Sequence, residues 1–184
     1  MNARDRLIDS MAQSLRSAGY HNTGLNQIVA DSGAPKGSMY HYFPGGKVAL
    51  AAVAIDHSAA LVAERIGEIL QRGLAPRAAL EAVIEFFATE MEGSAFTKGC
   101  PVATITLEEA ATTPQIRDAC ARAYEGWQAG PAGYLGDQGV ADPRTTAETF
   151  LMLLEGALLL ARARLSAEPL RGLKARLTPF LIQT

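Results

Sequence analysis

Apolar side chains recur at intervals of three and four residues along most of this chain, and glycine or proline ends each run. In the first run, Leu7, Met11 and Leu15 lie four residues apart, and Gly19 follows them. This spacing places the apolar groups on one face of an α-helix, whereas a half-buried strand alternates apolar and polar residues. No segment of the sequence shows that alternation convincingly. The pattern therefore predicts an all-α protein.

The glycine and proline breaks divide the chain into three short helices, a long connector and five further helices. The expected ranges are 3–18, 24–32, 35–42, 46–72, 76–92, 102–111, a seventh helix that begins at Pro114, 143–165 and 169–182. Gly130 and Pro131 fall inside the seventh helix. A kink is expected there, because proline cannot donate the backbone hydrogen bond of a helix interior.

The composition is that of a soluble globular protein, with 48% hydrophobic and 20% charged residues among 184. The longest strongly apolar run, residues 150–161, is shorter than the roughly 20 residues that a membrane-spanning helix requires. The first residues contain no apolar core of a signal peptide. We therefore expect a cytoplasmic protein with no membrane partner.

The sequence contains few groups that could form a catalytic or metal site. Cys100 and Cys120 are too few for a disulfide framework and are not spaced as a metal-ligand pair. We expect both to be small buried hydrophobes, with a thiol redox sensor as the alternative. There is also no Gly-rich phosphate loop, nucleophile elbow, HExxH motif or clustered His/Asp/Glu set. We therefore expect no enzymatic activity, no cofactor and no metal.

Charge is distributed unevenly along the chain. The net charge is −2, yet the first 47 residues contain five Lys/Arg against three acidic residues. His21 and His41 lie in the same segment. A local excess of positive charge favours an anionic partner for this part of the protein.

The segment APKGSMYHYFPGGK, residues 34–47, combines aromatic, basic and backbone-breaking residues. The second and third predicted helices flank the break SGAP, which is typical of a helix-turn-helix motif. In that motif the second helix enters the major groove of DNA, where its early residues contact base edges. Alternatively, the segment is only a tight turn that connects a small helical bundle.

Met39 and Phe43 are expected on the inner face of the third helix, which leaves polar groups on the outer face. Lys36 and Ser38 have the donors to contact base edges, and Gly37 permits close backbone approach. The residues that carry donors suited to phosphate oxygens are Tyr40, His41, Tyr42 and, at the start of the connector helix, Lys47.

Residues 23–50, TGLNQIVADSGAPKGSMYHYFPGGKVAL, resemble the DNA-binding segment of TetR-type transcriptional repressors. The matching positions are Thr23, Ile28, Ser32-Gly33, Lys36-Gly37-Ser38, Tyr40, Tyr42-Phe43 and Lys47. Met39 replaces the more usual leucine, and PGGK is one residue longer than the common spacing. Together with GCPVATITLEEA, the form YHYFPGGK is similar to the LmrA/YxaF-like repressors of drug-efflux genes.

This resemblance implies a transcriptional regulator, namely a dimeric repressor that a small apolar or aromatic ligand releases from a palindromic DNA operator. It implies a helix-turn-helix DNA-binding domain over residues 1–47 and a helical ligand-binding and dimerisation domain over residues 48–184. The implied DNA-binding residues are Thr23, Lys36, Gly37, Ser38, Tyr40, His41, Tyr42 and Lys47. The alternative is a helical small-molecule-binding protein without DNA activity.

The last two predicted helices support a homodimer independently. The helix over residues 143–165 is apolar on more than one face, whereas a surface helix needs only one apolar stripe. The last helix adds Leu170, Leu173, Leu177, Phe180 and Leu181. We expect these two helices to form half of an intersubunit four-helix bundle, with packing inside one chain as the alternative.

Bulky apolar residues of the C-terminal part are the candidates for a ligand pocket, since small-molecule sites are mostly apolar with a few polar groups. They are Phe86, Phe87, Met91, Phe96, Tyr124, Trp127, Tyr134 and Met152, with Glu155 as a polar anchor. At helical spacing such residues also serve as ordinary core. An ion pair with Arg162 is the simpler explanation of Glu155.

Overall fold

The computed structural model describes residues 1–177, and all regular secondary structure in that range is helical. The helices are α1 (Ala3–Ala18), α2 (Leu25–Ser32), α3 (Ser38–Tyr42), α4 (Gly46–Leu70), α5 (Pro76–Gly93), α6 (Ala103–Glu109), α7 (Pro114–Asp137), α8 (Pro143–Arg164) and α9 (Glu168–Leu173), followed by a 3₁₀ turn (Lys174–Arg176). The prediction of an all-α fold is confirmed.

Local capping explains where α1 begins and ends. The Asn2 side chain accepts a hydrogen bond from the Asp5 amide at 2.9 Å, which satisfies one of the unpaired N–H groups at the helix start. At the other end, Gly19 has a φ of 79° and its amide donates to the Leu15 carbonyl. A residue with a side chain would be strained at that φ, so Gly19 ends the helix.

The chain divides into two compact units. The first contains Met1–Leu61 and Cys100–Tyr124, so α6 and the first part of α7 belong with the N-terminal helices. α2 and α3 both pack on α1. The largest fully buried side chains of this unit are Leu7, Met11, Ile28, Met39, Leu50, Ile55, Ile105 and Ile116. The predicted domain boundary at residue 47 does not coincide with a limit of either compact unit, and it stays a prediction.

The second unit contains Val62–Gly99 and the chain from Glu125 on. Here α5 packs against α8 and α9. Arg171 on α9 bridges two carboxylates of α5, Glu85 at 2.9 Å and Glu92 at 2.7 Å, and Lys174 adds a second contact to Glu85. Leu80, Ile84, Leu135 and Leu170 are fully buried in this unit.

Two helices, α3 and α9, differ from the predicted ranges by more than two residues, and α7 contains the proline at which a kink is predicted. α3 begins at Ser38 because the preceding residues form a turn, in which the Ser38 amide donates to the Pro35 carbonyl at 2.8 Å. α7 continues through Pro131 without ending, and the kink stays a prediction. α9 is short and passes into the 3₁₀ turn, whereas Phe180 and Leu181 of the predicted last helix lie outside the described residues.

One described helix, α4, is long and apolar enough to cross a membrane by length and composition alone. The core helices of soluble proteins meet the same criterion. In the first unit, α4 carries polar partners: Asp56 pairs with Arg122 at 2.9 Å, and His57 lies 2.8 Å from Asp9. Leu50, Ala51, Ala54 and Ile55 are buried there. This part of α4 therefore packs against protein.

Candidate nucleic-acid interface

The turn between α2 and α3 is held by backbone geometry and by side-chain hydrogen bonds, among them those of Ser32. Gly33 ends α2 with a φ of 59°, in the left-handed region that glycine adopts without strain. The buried Ser32 hydroxyl donates to the Val29 carbonyl at 2.9 Å and accepts from the Ala34 amide at 3.2 Å. These contacts direct the chain out of α2 and into α3.

α3 is a single turn of helix with one buried face and one exposed face. Met39 and Phe43 are buried, as the sequence pattern predicts. Tyr40 and Tyr42 are 63% and 40% exposed. Lys36, Gly37 and His41 are exposed as well, and Ser38 is half-buried. The structure thus leaves most of the predicted contact residues on and beside α3 exposed, while the contacts themselves stay a prediction.

A shallow depression of about 580 Å³ lies between the outer surfaces of α2 and α3. Lys36 and Tyr40 line it from the α3 side, and Asn26 lines it from α2. An amide side chain can both donate to and accept from base edges. Sequence reasoning did not identify Asn26, although its exposed place at the start of α2 is the signal that could have done so.

Thr23 differs from the other predicted contact residues because it is buried. Its hydroxyl donates to the Gly19 carbonyl at 2.6 Å, and only 3% of the residue is exposed. The hydroxyl proton is therefore used inside the protein. In this structure Thr23 stabilises the turn between α1 and α2.

Lys47 also has a partner within the protein. Its ammonium donates to the Tyr20 carbonyl at 2.6 Å and lies 4.1 Å from the centre of the Tyr20 ring. Burial lowers the pKa of Lys47, and the carboxylates of Glu109 and Glu108 oppose that shift. One of three ammonium protons is used in this contact, so two others stay available to a phosphate at the start of α4.

Two carboxylates of α6 contact the same turn of the chain. Glu108 accepts from the Tyr20 amide at 2.5 Å, and Glu109 lies 3.1 Å from the His21 ring nitrogen. The Thr113 hydroxyl donates to Glu109 at 2.6 Å. A Cβ on Gly19 would come within 2.5 Å of the Glu108 carboxylate, so a side chain here would require that carboxylate to move. Sequence reasoning did not identify Glu108 or Glu109, because α6 lies far away along the chain.

The candidate ligand residues lie in different environments. Met91 and Trp127 are buried, and Met152 is 60% exposed. The half-buried members are Phe86, Phe87, Phe96, Tyr124, Tyr134 and Glu155. Phe86 and Phe87 are brought together, with ring centres 5.0 Å apart in an edge-to-face arrangement. The Tyr134 hydroxyl donates to the Leu74 carbonyl. A shared pocket for the whole set stays a prediction.

Phe96 lines an open depression of about 500 Å³ in the second unit. Leu165 and Arg171 are among its other walls. Phe96 and Leu165 both have a positive φ, of 60° and 49°. Each lies where a helix ends, so this backbone geometry has a local explanation in helix capping.

Both cysteines are buried. The Cys100 sulfur accepts from the Val102 and Ala103 amides at 3.4 Å, and burial raises the pKa of the Cys120 thiol. Among residues 1–177, no three His, Cys, Asp or Glu side chains lie close enough together to hold a metal ion.

α3 exposes polar side chains, is anchored by the buried Met39 and Phe43, and follows the turn at Gly33. Together α2 and α3 form a helix-turn-helix, which places the protein in a class that binds DNA. Comparison with known families identifies the group. Residues 7–54 match the family of bacterial regulatory proteins, tetR family, and residues 76–176 match the C-terminal domain of LmrA/YxaF-like transcriptional regulators. The chain belongs to the TetR family of transcriptional regulators, in its LmrA/YxaF-like branch. The predicted family is therefore confirmed.

Relatives and solved structures agree with this assignment. The chain is 31% identical to the HTH-type transcriptional regulator YxaF of Bacillus subtilis, over 99% of this chain and 96% of that one. It is 28% identical to the regulator LmrA of the same organism, over 92% and 91%. A crystal structure of regulatory protein TetR from Rhodobacter sphaeroides matches with a TM-score of 0.86 at 27% identity, covering 98% of this chain and 99% of that one.

Proposed function

We propose that this transcriptional regulator is a dimeric repressor that binds a palindromic DNA operator and is released by a small apolar or aromatic ligand. The observation that carries the proposal is the division of α3 into two faces. Met39 and Phe43 are buried, while Lys36, Tyr40 and His41 face solvent. A protein that used this turn only for packing would gain nothing from exposing two aromatic rings and a lysine there.

In this proposal Lys36 reads a base edge, with Ser38 and Asn26 beside it and Gly37 allowing close approach. Tyr40, His41, Tyr42 and Lys47 hold phosphates and set the register of the protein on DNA. Thr23 acts indirectly, since its buried hydroxyl supports the turn before α2. The DNA-binding domain is residues 1–47, and the remainder binds ligand and dimerises.

The exposed face of α8 supports a homodimer through the last helices. Met152, Gly156, Leu159, Leu160 and Ala163 are exposed and recur at the three- and four-residue spacing of one helical stripe. Their opposite neighbours, among them Leu154, Leu158 and Ala161, are buried inside the chain. The same stripe of a second copy can cover it in a two-fold symmetric interface, which removes both apolar surfaces from water.

The ligand-binding part of the proposal depends on α5, α7 and α8. Phe86 and Phe87 are half-buried neighbours on α5, and Trp127 is buried on α7. Aromatic side chains that are incompletely packed suit an apolar or aromatic ligand. If the ligand binds best to a conformation whose recognition helices no longer match the DNA grooves, ligand and DNA weaken each other by the same factor. We expect the protein to act in the cytoplasm, where its operator lies.

Selection of DNA by the protein itself tests this function. Wild-type protein is equilibrated with a random double-stranded pool, and the retained DNA is sequenced. A repressor of this kind enriches a palindrome whose half-sites are centred about one helical turn apart, roughly 34 Å. If no DNA is retained even at low salt, where electrostatic binding is strongest, the protein is instead a helical ligand-binding protein without DNA activity. Titration of the DNA-bound protein with a panel of aromatic compounds then tests release.

A further inference from the structure

Arg6 on α1 is half-buried and contacts the end of α2. Its Nε donates to the Ser32 carbonyl at 2.9 Å, and its Nη2 donates to the Gly33 carbonyl at 3.4 Å. Both carbonyls belong to the turn that leads into α3. Arg6 is therefore the described side chain that links α1 to the helix-turn-helix turn through two backbone acceptors.

The two carbonyls lie at the C-terminal end of α2, where a cationic donor stabilises the helix. The last carbonyls of a helix have no partner within it and carry a partial negative charge. In α2 the Val29 carbonyl accepts from the Ser32 hydroxyl, and the Ala30 carbonyl accepts from the Gly33 amide. Arg6 supplies the donors for Ser32 and Gly33. A guanidinium fits this place well, because it is cationic and presents several N–H groups in a rigid plane.

α3 depends on this turn for its direction. It has five residues, and its N-cap residue, Gly37, offers no side-chain cap. A helix of one turn is not stable by itself, so its neighbours set its axis. Met39 and Phe43 fix which face is buried, but rotation and tilt about those two anchors depend on where the chain leaves α2.

We propose that Arg6 is a positioning residue for base readout: it orients the recognition helix through the Ser32 and Gly33 carbonyls without touching DNA. This inference depends on the proposed operator function. A base contact requires its donor at hydrogen-bonding distance and angle from one base edge, whereas phosphate contacts carry no sequence information directly. Loss of the hydrogen bonds from Arg6 to the Ser32 and Gly33 carbonyls should therefore reduce discrimination among DNA sequences more than it reduces binding to DNA in general.

Arg6→Gln tests the inference, with DNA selected by the wild type and a scrambled copy as probes. We expect affinity for the selected DNA to fall about tenfold or more, the loss that one mismatched base pair brings, with affinity for scrambled DNA changed less than about twofold. The dependence of binding on salt should be unchanged, since no phosphate contact is lost. Arg65→Gln removes the same charge from an exposed ion pair on α4 and should leave both affinities unchanged.

A double-mutant cycle of Arg6→Gln with Lys36→Ala tests whether Arg6 positions the recognition helix or only stabilises the fold. Lys36→Ala should cost less in the Arg6→Gln protein than in the wild type, because the misdirected helix already lacks that base contact. Arg6→Lys keeps the charge but not the planar guanidinium, so this variant should lose less discrimination between the two DNAs than Arg6→Gln. If Arg6→Gln does not fold, the same measurements are made with Arg6→Lys.

Three results would overturn the inference. Equal weakening on both DNAs with a shallower salt dependence would make Arg6 a phosphate contact. Unchanged discrimination with a lower unfolding temperature would make it a stabilising residue only. If wild type and Lys36→Ala bind selected and scrambled DNA alike, the proposed operator function fails, and the inference is overturned with it.

Discussion

The Lys47 ammonium at the start of α4 donates to the backbone carbonyl of Tyr20, 27 residues earlier in the chain, at 2.6 Å. Its charge also lies 4.1 Å from the centre of the Tyr20 ring. The Tyr20 amide is held in turn by Glu108 of α6. The turn between α1 and α2 is thus fixed from two sides by residues outside the first three helices.

Lys47→Met should reveal two separate roles. Loss of the charged hydrogen bond to the half-buried Tyr20 carbonyl should lower the free energy of unfolding by about 1–2 kcal/mol. Loss of a phosphate contact should weaken selected and scrambled DNA alike and make the salt dependence shallower. Chemical denaturation measures the first effect, and binding isotherms at several salt concentrations measure the second. Lys47→Arg is the matched control, since it keeps a cationic donor.

Each half of that prediction can fail alone. Unchanged stability would mean that the contact with Tyr20 contributes nothing measurable. Unchanged salt dependence would remove Lys47 from the phosphate contacts and leave it as a structural residue.

Lys36→Ala should separate base reading from phosphate binding. We expect a cost of about 1–3 kcal/mol on the selected operator and little on scrambled DNA, with relaxed choice at one base pair per half-site. Competition binding with single-position operator variants identifies that base pair. Lys98→Ala, which removes an exposed lysine elsewhere, is the control for net charge. Equal losses on both DNAs would show that Lys36 is a phosphate contact.

Leu159→Arg should break the homodimer. This residue is 66% exposed in the single chain, so the substitution leaves the fold intact, but in a dimer it buries an unpaired charge at a cost of roughly 3–5 kcal/mol. Size-exclusion chromatography with light scattering should then report a monomer at concentrations where the wild type is dimeric. Leu107→Arg, at an 84% exposed position on α6, should stay dimeric. A dimeric Leu159→Arg protein would place the interface elsewhere.

The ion pairs between α5 and α9 should make the free energy of unfolding depend on pH. Hydrogen bonds from Arg171, then from Lys174, lower the pKa of Glu85 below its ordinary value of 4.5, and Arg171 does the same for Glu92. A lowered pKa in the folded state contributes stability that is present above about pH 4.5 and is lost as the pH falls through the folded value.

Arg171→Gln should therefore unfold at a lower temperature than the wild type at pH 7, and the gap between them should close as the pH falls below about 4.5. Thermal unfolding followed by circular dichroism at a series of pH values measures this. Arg77→Gln, which removes an arginine that pairs with Glu81 on the same helix, is the comparison. If the difference in unfolding temperature between wild type and Arg171→Gln does not change with pH, Arg171 acts through packing.

The sequence by itself determined the fold class, the family and the buried face of the recognition helix. Periodicity sufficed for the fold class and for the buried face, because Met39 and Phe43 lie four residues apart on a short helix that has only one apolar face. The family followed from the resemblance of residues 23–50 to a known DNA-binding segment. The glycine turn before α3 and the exposed polar residues around it follow from the same local rules. Local chemistry acts between neighbours in the chain, and neighbours are visible in a sequence.

Only the tertiary structure decided which groups meet across the chain and which apolar faces stay open. Arg6 meets Ser32, Lys47 meets Tyr20 and Glu108 meets Tyr20 over separations that no periodic pattern encodes. On α8 the sequence shows two apolar faces that are chemically alike. Leu158 is buried within the chain, whereas Leu159 and Leu160 face outward. The physical reason is that burial depends on which neighbouring helix lies against a face, and that is a property of packing rather than of the helix.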